Sequence, residues 1–434
     1  MADGIILERH GVPAVSVLTD AFVPSGDAMA RTMGAEGYRY AVIPHPISNL
    51  TPEQCRERAR SVLPDLLEIL ATGGVTAAST RTPGRARLPE EPAGLTAERV
   101  QDLRRIVEYD FERGWSDGLP VVPVTEATVR DFVGYVGRDP DQVLLRVDHL
   151  GTACTVRLAA VAAAMAGCAR EHFPILLAVL DGFQPSVDTA LLQSTSGQAV
   201  MVTVNGPIRR ELGFNSGANV LGPGHRANAV VGRAIRLVVI NALGIRSGEF
   251  DQSTQGTPGK YCLCIAENEE ESPWEPLHVE RGFPAEASVT TANFARGTLP
   301  VDNRSGTEPE QILLNIADTM SCATASRGCA VVMGPEHAHL IASRGWSKQD
   351  VRRFLWEHWG RRRGDLRRFG LLDGGSRLAA ADASDDQFLR FAESPDAILL
   401  VVAGARNAGM TTIVPMIRPM FHSQVVQDPP RSGR

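Results

Sequence analysis

The first 71 residues alternate between helix-like segments and short apolar segments, and this alternation limits the fold more than any other feature of the sequence. Residues 5–11 are typical of a helix end, because glycine often follows the last helical residue, here as Gly11. Thr51 and Pro52 are typical of a helix start, with threonine as the N-cap and proline at the first helical position. We therefore predict strands at residues 12–18 and 40–43, and helices near 28–33 and 51–71. A βαβα order predicts a parallel sheet.

This N-terminal segment is small for such a sheet. Two strands and two helices bury too little apolar surface for a doubly wound fold, and the sequence begins in the last turn of its first helix. We expect another polypeptide to supply the missing strands; the alternative is that the segment docks on the rest of the chain. The predicted fold class is α/β, with a partial parallel-sheet N-terminal segment completed by a partner chain, plus a larger α/β domain.

The domain organisation follows from composition. Residues 1–71 form the partial βαβα, Rossmann-like segment, and residues 72–97 have the Gly-, Pro- and Thr-rich composition of a linker. Residues 98–426 form the main α/β domain, and residues 427–434 are predicted to be a disordered tail. In the main domain we predict strands at residues 199–204 and 260–266, a loop and buried strand within residues 394–404 that ends at Gly404, and helices at residues 96–113, 155–167, 171–182 and 226–243.

The charge balance limits the class of partner. The 434 residues include 44 Lys or Arg and 50 Asp or Glu, for a net charge of −6, so nucleic acid is not expected as a partner. No apolar run reaches the ~18 residues that span a bilayer, and no secretory signal is visible, so we expect a cytoplasmic protein without membrane association. Lys260 and Lys348 are the two lysines among the 44 cations. A GC-rich genome explains this ratio. Because lysine is so rare here, the position of each lysine in the structure is of interest.

Seven cysteines in such a chain do not predict a disulfide framework. No C-x-x-C pair is present. Cys262 and Cys264 fall in a predicted strand, which would place both thiols on one face. Without a second Cys or His pair at zinc-site spacing, we expect buried, inert thiols and predict no metal site.

The segment from residue 204 to residue 228 is rich in Asn, Arg and Gly and follows a predicted strand. Loops at the carboxyl ends of parallel strands are where α/β proteins bind ligands. The glycines before the helix at residue 226 could present free backbone N–H groups to an anion, although a purely structural glycine loop is the alternative. A dinucleotide fingerprint does not fit, because the strand ends far before Gly222. The predicted substrate-binding residues are Asn205, Arg209, Arg210, Asn215, Gly222, Gly224, Arg226 and Asn228, together with Asp117 and Arg281.

A second segment joins four glutamates within residues 267–271 to a histidine and a further glutamate. Clustered carboxylates repel one another unless a cation lies nearby. A solvated acidic turn is one interpretation, and a divalent-ion site is another. We favour an acid–base site in which Glu267 or Glu280 exchanges protons and His278 carries them.

Two further candidate site residues are His45 and Asp117. His45 lies between Pro44 and Pro46 after the second predicted strand, and the flanking prolines would hold its ring rigidly. We predict a catalytic role for it. Asp117 lies in an Asp-Gly turn, where capping is the alternative to substrate binding. No Gly-x-Ser-x-Gly, Walker or His-Glu-x-x-His motif is present, which excludes the corresponding hydrolase, nucleotidase and zinc-protease classes.

Several long runs resemble one family over most of the chain. They are Leu7-Glu-Arg-His-Gly-Val-Pro-Ala-Val, Ile43-Pro-His-Pro, Asp110-Phe-Glu-Arg-Gly-Trp-Ser-Asp-Gly-Leu-Pro, Asn205-Gly-Pro-Ile-Arg-Arg-Glu-Leu-Gly, Gly222-Pro-Gly-His-Arg-Ala-Asn-Ala, Ala266-Glu-Asn-Glu-Glu, Pro273-Trp-Glu-Pro-Leu-His-Val-Glu-Arg-Gly and Gly334-Pro-Glu-His-Ala. The chain thereby resembles the UGSC (seleno)protein family, named for a Sec/Cys-Gly-Ser-Cys motif. Its N-terminal part is also loosely similar to the selenoprotein B subunits of glycine-reductase-type enzymes.

The resemblance implies thiol or selenol chemistry, yet no Cys-Gly-Ser-Cys run occurs in the sequence. In the family this motif lies just upstream of the helix that ends at Gly11. We therefore expect a split protein, in which a small partner subunit supplies the reactive Cys or Sec beside His45. The sequence leaves the cofactor open, with a redox thiol or selenol in the partner as the one group implied, and we expect an oligomer.

Three functional hypotheses result. The favoured one is the large subunit of a thiol- or selenol-dependent enzyme acting on a carbon–heteroatom or sulfur centre of a small anionic substrate. The second is a self-contained lyase or hydratase that uses Glu and His, with or without a metal. The third is a non-catalytic scaffold subunit. The proposed catalytic residues are His45, His278, Glu280 and Glu267.

Overall fold

The computed structural model describes residues 1–47, 50–74, 96–183, 185–372 and 384–429. Most of the predicted linker, residues 75–95, and the end of the predicted tail, residues 430–434, lie outside the described residues. The chain divides into two compact units. The smaller unit comprises Met1–Ala97 with Arg304–Thr307 and Arg406–Gly409, and the larger unit comprises the remainder.

The smaller unit contains a two-stranded parallel sheet, as predicted. Strands β1 (Val17–Thr19) and β2 (Ala41–Ile43) pair in register, and three helices accompany them. Apolar contacts gather around Ile5 on one helix and around Val62 and Ile69 on another. The helices are α1 (Ala2–Arg9), α2 (Val23–Thr32) and α3 (Pro52–Thr72).

Local chemistry accounts for these boundaries. Thr51 Oγ1 accepts a hydrogen bond from the Gln54 backbone N–H, and Gln54 Oε1 accepts one from the Thr51 N–H, so α3 starts with a complete capping box. Gly11 follows α1 with a φ of +74°, which favours glycine. The first strand is shorter than predicted, because Glu8 Oε1 accepts a hydrogen bond from the Ala14 N–H and holds that stretch as a loop.

The larger unit is built on two four-stranded mixed sheets. Its strands are β3 (Val143–Val147), β4 (Thr152–Thr155), β5 (Ala199–Asn205), β6 (Cys264–Ala266), β7 (Val289–Ala295), β8 (Leu299–Asp302), β9 (Gly328–Met333), β10 (Gly360–Arg362), β11 (Phe388–Arg390), β12 (Ile398–Val402), β13 (Met410–Met416) and β14 (His422–Val425). In the first sheet, the strand order is β14-β7-β5-β6, with β5 and β6 parallel; in the second it is β12-β9-β13-β8, with β12 and β9 parallel. The other described strands form two short antiparallel pairs, β3-β4 and β10-β11.

Twelve further α-helices follow α3 in the described ranges. They are α4 (Ala97–Glu112), α5 (Glu126–Val136), α6 (Val156–Met165), α7 (Phe173–Asp181), α8 (Pro185–Leu192), α9 (Ile208–Glu211), α10 (Arg226–Leu237), α11 (Leu277–Glu280), α12 (Pro309–Cys322), α13 (Pro335–Ser343), α14 (Lys348–His358) and α15 (Arg363–Arg368). The chain is an α/β protein, as predicted. No helix in the described ranges has both the length and the apolar character needed to cross a membrane.

Side chains that point alternately to the two faces of each sheet form three separate apolar cores. On β5, Met201 belongs to a core shared with Val332 and Val401 of the second sheet, whereas Val202 and Val204 join the core formed with the helices. On the far side of the second sheet, Val331 packs in a core that contains residues of α12 and α14. Because side chains alternate between the two faces of a strand, this pattern gives four layers: helices, sheet, sheet and helices.

Two predicted elements need correction. The helix predicted at residues 226–243 ends at Leu237 and continues as a π-helical turn, Val238–Ala242. The strand predicted at residues 260–266 is a 3₁₀ turn, Pro258–Lys260, followed by the short β6. Cys262 therefore lies outside the strand, and its Sγ donates to the Asn228 carbonyl instead of sharing a strand face with Cys264.

The layer between the sheets yields a stability prediction. Replacing the fully buried Met201 by alanine removes contacts with both sheets, so Met201→Ala should lower the free energy of unfolding by about 2–5 kcal/mol. Met410→Ala on β13 is the matched control, because that side chain is 40% exposed and its loss should cost less than about 0.5 kcal/mol. Urea unfolding of the two variants compares them, and equal losses would contradict this layer assignment.

Candidate functional site

The carboxyl ends of β5 and β6 bring two of the predicted segments together. Since these strands are parallel, the chain leaves both at the same sheet edge. The Asn205 side-chain amide donates to Glu267 Oε2 over 2.5 Å and to Glu269 Oε1 over 3.0 Å. The loop of residues 267–271, here called the acidic loop, thus meets the segment that follows β5.

Arg209 is the cation that the acidic loop requires. Its side chain is buried, and its Nη2 lies 2.7 Å from Glu269 Oε2 and 3.0 Å from Glu270 Oε1. Nη1 donates to the Glu267 carbonyl, and Nε donates to the Gly206 carbonyl. Hydrogen bonds from Arg209, and then from Arg210, hold the pKa of Glu270 at about 2 despite the opposing effect of burial. The donors of Arg209 are therefore engaged within the protein.

Glu267 has an environment unlike that of its neighbours. Its side chain is fully buried, and its Oε2 accepts hydrogen bonds from Asn205 and from the Leu277 backbone N–H over 2.7 Å. Its Oε1 has no hydrogen-bond partner among the described residues. Burial raises the pKa of Glu267, outweighing the opposing charge of Lys348 and the two hydrogen bonds. This environment makes Glu267 easier to protonate than an exposed glutamate.

His278 lies next to this carboxyl cluster on α11. The ring is almost fully buried, and its Nε2 lies 3.2 Å from the Ala285 carbonyl. Its Nδ1 lies 3.8 Å from Glu269 Oε1 and has no hydrogen-bond partner in the described ranges. Glu267, Glu269 and His278 thus form a buried group of titratable side chains around Asn205.

Glu280 and Arg281 do not join that group. Glu280 lies between two cations, with Lys348 Nζ at 2.8 Å and Arg352 Nη2 at 2.7 Å. Arg281 Nε donates to Ser423 Oγ, and its Nη2 donates to the Phe421 carbonyl. Burial lowers the pKa of Arg281, with a smaller opposing effect from Glu280. The predicted pairing of Glu280 with His278 as acid and carrier has no direct contact to support it.

The segment of residues 204–228, which was predicted to bind an anion, is held mainly by hydrogen bonds within the protein. Asn228 Oδ1 accepts from the Asn215 N–H, and its Nδ2 donates to the carbonyls of Asn215 and Cys264, so it fastens the loop to β6. Gly222 packs where a Cβ would lie 2.0 Å from the Asn219 side chain. Gly224 has a φ of +117°, which favours glycine.

The remaining predicted substrate-binding cations and Asp117 also contact protein groups. Arg226 Nη2 donates to the Gly167 carbonyl over 2.9 Å, and the exposed Arg210 pairs with Glu270. Asp117 accepts two hydrogen bonds from Arg233, at 2.8 and 2.9 Å. The structure thus brings Asn205, Arg209 and Arg210 together with the acidic loop. Asn215, Asn228 and Arg226 instead form hydrogen bonds that hold the protein together.

His45 belongs to the smaller unit and follows β2. Its Nδ1 lies 3.0 Å from Thr19 Oγ1, and its backbone N–H donates to Asp20 Oδ1 over 2.9 Å. The edge of the Phe22 ring faces it at 5.9 Å between centroids. Thr19 ends β1 and His45 follows β2, so these groups meet at the carboxyl edge of the parallel pair. Sequence reasoning missed Thr19 and Asp20, although their position at the end of a predicted parallel strand was the available signal.

Most thiols of the chain are unsuited to act as thiolates. Burial raises the pKa of Cys154 and Cys168 to about 12, and it also raises the pKa values of Cys262, Cys264 and Cys329. Only the two other cysteines, Cys55 and Cys322, are exposed. Within the described ranges, no group of three or more His, Cys, Asp or Glu residues could hold a metal ion.

The buried guanidinium makes a first prediction for this cluster. Arg209→Ala leaves Glu269 and Glu270 without their shared cation, so it should cost about 3–5 kcal/mol of unfolding free energy. Arg210→Ala removes an exposed partner of the same Glu270 and should cost about 0–1 kcal/mol. Chemical unfolding at one pH gives both values. Similar losses in the two variants would show that Arg209 does not anchor the loop.

The raised pKa of Glu267 makes a second prediction. The folded protein holds the Glu267 proton more tightly than the unfolded chain, so this group favours folding at low pH, and its contribution is lost as the pH rises through the raised pKa. Glu267→Gln carries no titrating proton and should become more stable relative to the wild type between about pH 5 and pH 8. Unfolding curves at both pH values test this, with the exposed Glu275→Gln as control. A constant difference would argue against a buried, protonated Glu267.

Comparison with known proteins adds one positive result. Residues 1–72 match the model of the UGSC family, and this match covers the unit that carries Thr19, Asp20 and His45. No curated protein and no solved structure matches the chain. The resemblance noted from sequence is thereby confirmed for residues 1–72, which are similar to the UGSC family.

Proposed function

We propose that this chain is the large subunit of a cytoplasmic, thiol- or selenol-dependent enzyme that acts on a small anionic substrate at a carbon–heteroatom or sulfur centre. The observation that carries the proposal is the position of His45. It lies with Thr19 and Asp20 at the carboxyl edge of the parallel strand pair, inside the region that matches the UGSC family. Ligands of open α/β sheets bind at this edge.

The hydrogen bonds around His45 support a role in proton transfer. Thr19 meets the ring at Nδ1, and Asp20 holds the backbone of the same residue, so both the ring and its peptide are positioned. Histidine changes its protonation state near neutral pH and therefore serves as a base toward a thiol or selenol. In the proposed step His45 takes the thiol proton, the thiolate attacks the substrate, and the proton passes to the departing heteroatom.

The thiols of this chain favour an external nucleophile. Five of its seven cysteines have pKa values raised by burial, which keeps them as unreactive thiols near neutral pH. We propose that a small partner subunit carrying Cys/Sec-Gly-Ser-Cys supplies the reactive group, as the family resemblance implies. The free state of all seven cysteines fits a reducing compartment such as the cytoplasm.

The apolar surface of the smaller unit supports this partner. Val17 on β1 and Val42 on β2 are 45% and 43% exposed, although strand residues of a completed sheet are normally covered. Further large apolar side chains of this unit are exposed at Ile6, Leu7, Val12, Phe22, Met29, Ile47, Leu63, Leu67 and Leu70. So many exposed large apolar side chains in a unit of this size suit a surface that another chain covers.

The test begins with the tagged chain isolated from its own organism. Native mass spectrometry should find a small subunit with a Cys-Gly-Ser-Cys or Sec-Gly-Ser-Cys segment. The rate of iodoacetamide alkylation of that subunit's reactive group, measured against pH, then reports its thiolate or selenolate fraction. His45→Ala should move this profile to higher pH and slow alkylation at neutral pH, because the base that accepts the proton is lost.

His10→Ala is the matched control, since that exposed histidine lies in the same unit and should leave the profile unchanged. Cys55→Ser and Cys322→Ser should also have no effect, because neither thiol is the proposed nucleophile. A stable homo-oligomer without such a subunit would overturn the proposal. A pH profile of the alkylation rate that is unchanged in His45→Ala would overturn it as well. A complex that keeps full activity without His45 would favour the scaffold hypothesis.

A second candidate function rests on Glu267 and His278. Its support is the unpartnered Glu267 Oε1, the raised pKa of that carboxyl and the nearby imidazole, which together suit general acid–base catalysis in a self-contained lyase or hydratase. Activity of the isolated chain that survives thiol alkylation and falls in Glu267→Gln would favour this candidate over the thiol mechanism.

A further inference from the structure

A cavity of about 460 Å³ in the larger unit lies apart from the acidic loop. Residues 247–261 form most of its wall, and the rest comes from Arg236 in the last turn of α10 and from Asp117, which pairs with Arg233. Its polar lining side chains include Arg236, Ser247, Asp251, Ser253, Gln255 and Lys260. This size and lining suit a small polar molecule.

Lys260 is the primary amine that lines this cavity. Its Nζ lies 2.8 Å from Asp251 Oδ1, 2.7 Å from Asp251 Oδ2 and 2.7 Å from Ser253 Oγ. The Asp251 side chain is almost fully buried, and Arg236 Nη2 lies 3.2 Å from its Oδ2. A carboxylate thus stands within direct proton-transfer distance of a primary amine at a cavity wall.

The identity of this cation matters because the chain contains only two lysines among 44 cationic residues. Lys348 also forms a buried ion pair, with Glu280, but it does not line this cavity. Arginine forms carboxylate pairs as readily as lysine does, whereas only lysine offers an amine that can become a nucleophile. Lys260 therefore combines that chemistry with access to a cavity.

Burial acts to raise the pKa of Asp251, but its hydrogen bonds with Lys260 and Ser253 and the charge of Lys260 lower it overall, so Asp251 rests as a carboxylate beside the amine. Burial lowers the pKa of the Lys260 amine, and the Asp251 charge opposes this shift without cancelling it. The lowered pKa increases the share of neutral amine near neutral pH relative to an exposed lysine.

We propose that this cavity is a second reactive site, in which Lys260 Nζ forms an imine with a small carbonyl compound that carries a carboxylate. Asp251 takes a proton from the ammonium, and the freed electron pair of Nζ attacks the carbonyl carbon while the carbonyl oxygen gains a proton. The resulting carbinolamine loses its hydroxyl as water after a second proton transfer. An ammonium and a carbonyl become a protonated imine and water, with no oxidation or reduction.

Arg236 explains why the carbonyl compound should be anionic. Its contact with Asp251 uses only Nη2, and its other N–H groups have no acceptor in the described part of the chain. When Asp251 holds the Lys260 proton, Arg236 loses its counter-charge and gains attraction for a substrate carboxylate. The site therefore selects small oxo acids over neutral aldehydes.

The test traps the imine in the full-length protein. Glyoxylate and borohydride convert a lysine imine into carboxymethyl-lysine, and peptide mass spectrometry locates the adduct. Lys260 should be labelled about tenfold faster than Lys348, which serves as the internal reference in every sample. Lys260→Arg should abolish labelling at this position. Equal labelling of both lysines, or none at Lys260, would overturn the proposal.

A second variant tests the role of Arg236. In Arg236→Gln, glyoxylate labelling of Lys260 should fall several-fold, whereas labelling by acetaldehyde should not fall, because only glyoxylate carries a carboxylate. Circular dichroism confirms that the variant is folded. A parallel loss with both aldehydes would refute carboxylate selection. The thiol proposal is unaffected by either result, since labelling does not require the partner subunit or His45.

Discussion

The buried guanidinium of Arg209 is the interaction on which the edge of the first sheet depends. It lies between two carboxylates of the acidic loop and also donates to two backbone carbonyls. Desolvating an arginine costs several kcal/mol, and here ion pairs and hydrogen bonds to the guanidinium offset that cost. The segments after β5 and β6 are thereby joined, and Glu267 and His278 come to lie in one group behind them.

Proton affinity differs sharply within this small region. Glu270 is held as a carboxylate by two arginines, whereas burial favours the protonated form of Glu267. Neighbouring carboxyls with opposite shifts are a recurring arrangement in acid–base sites. In the smaller unit, Thr19 and Asp20 position the ring and the backbone of His45. The two arrangements suit different chemistry, which is why the proposals for them invoke an external thiol in one case and internal carboxyls in the other.

Sequence patterns predicted the helices and strands better than they predicted the contacts between them. The parallel pair, the capping box at Thr51 and the apolar β12 were all predictable, because periodicity and capping are local properties. The mixed sheets were not, since strand pairing across long separations leaves no local trace. The predicted site residues also separated: Asn205, Arg209 and His278 lie with the acidic loop, while Glu280 pairs with Lys348 and Asp117 with Arg233.

The sequence by itself determined the α/β class, the similarity of residues 1–72 to the UGSC family and the scarcity of lysine, because these depend on composition and local order. Only the tertiary structure decided which charges are neutralised. Arginines that looked available for a substrate anion donate to protein groups, and a lysine with no motif around it borders a cavity beside Asp251. Electrostatic pairing acts over a few ångströms of space and is independent of distance along the chain, so no linear pattern encodes it.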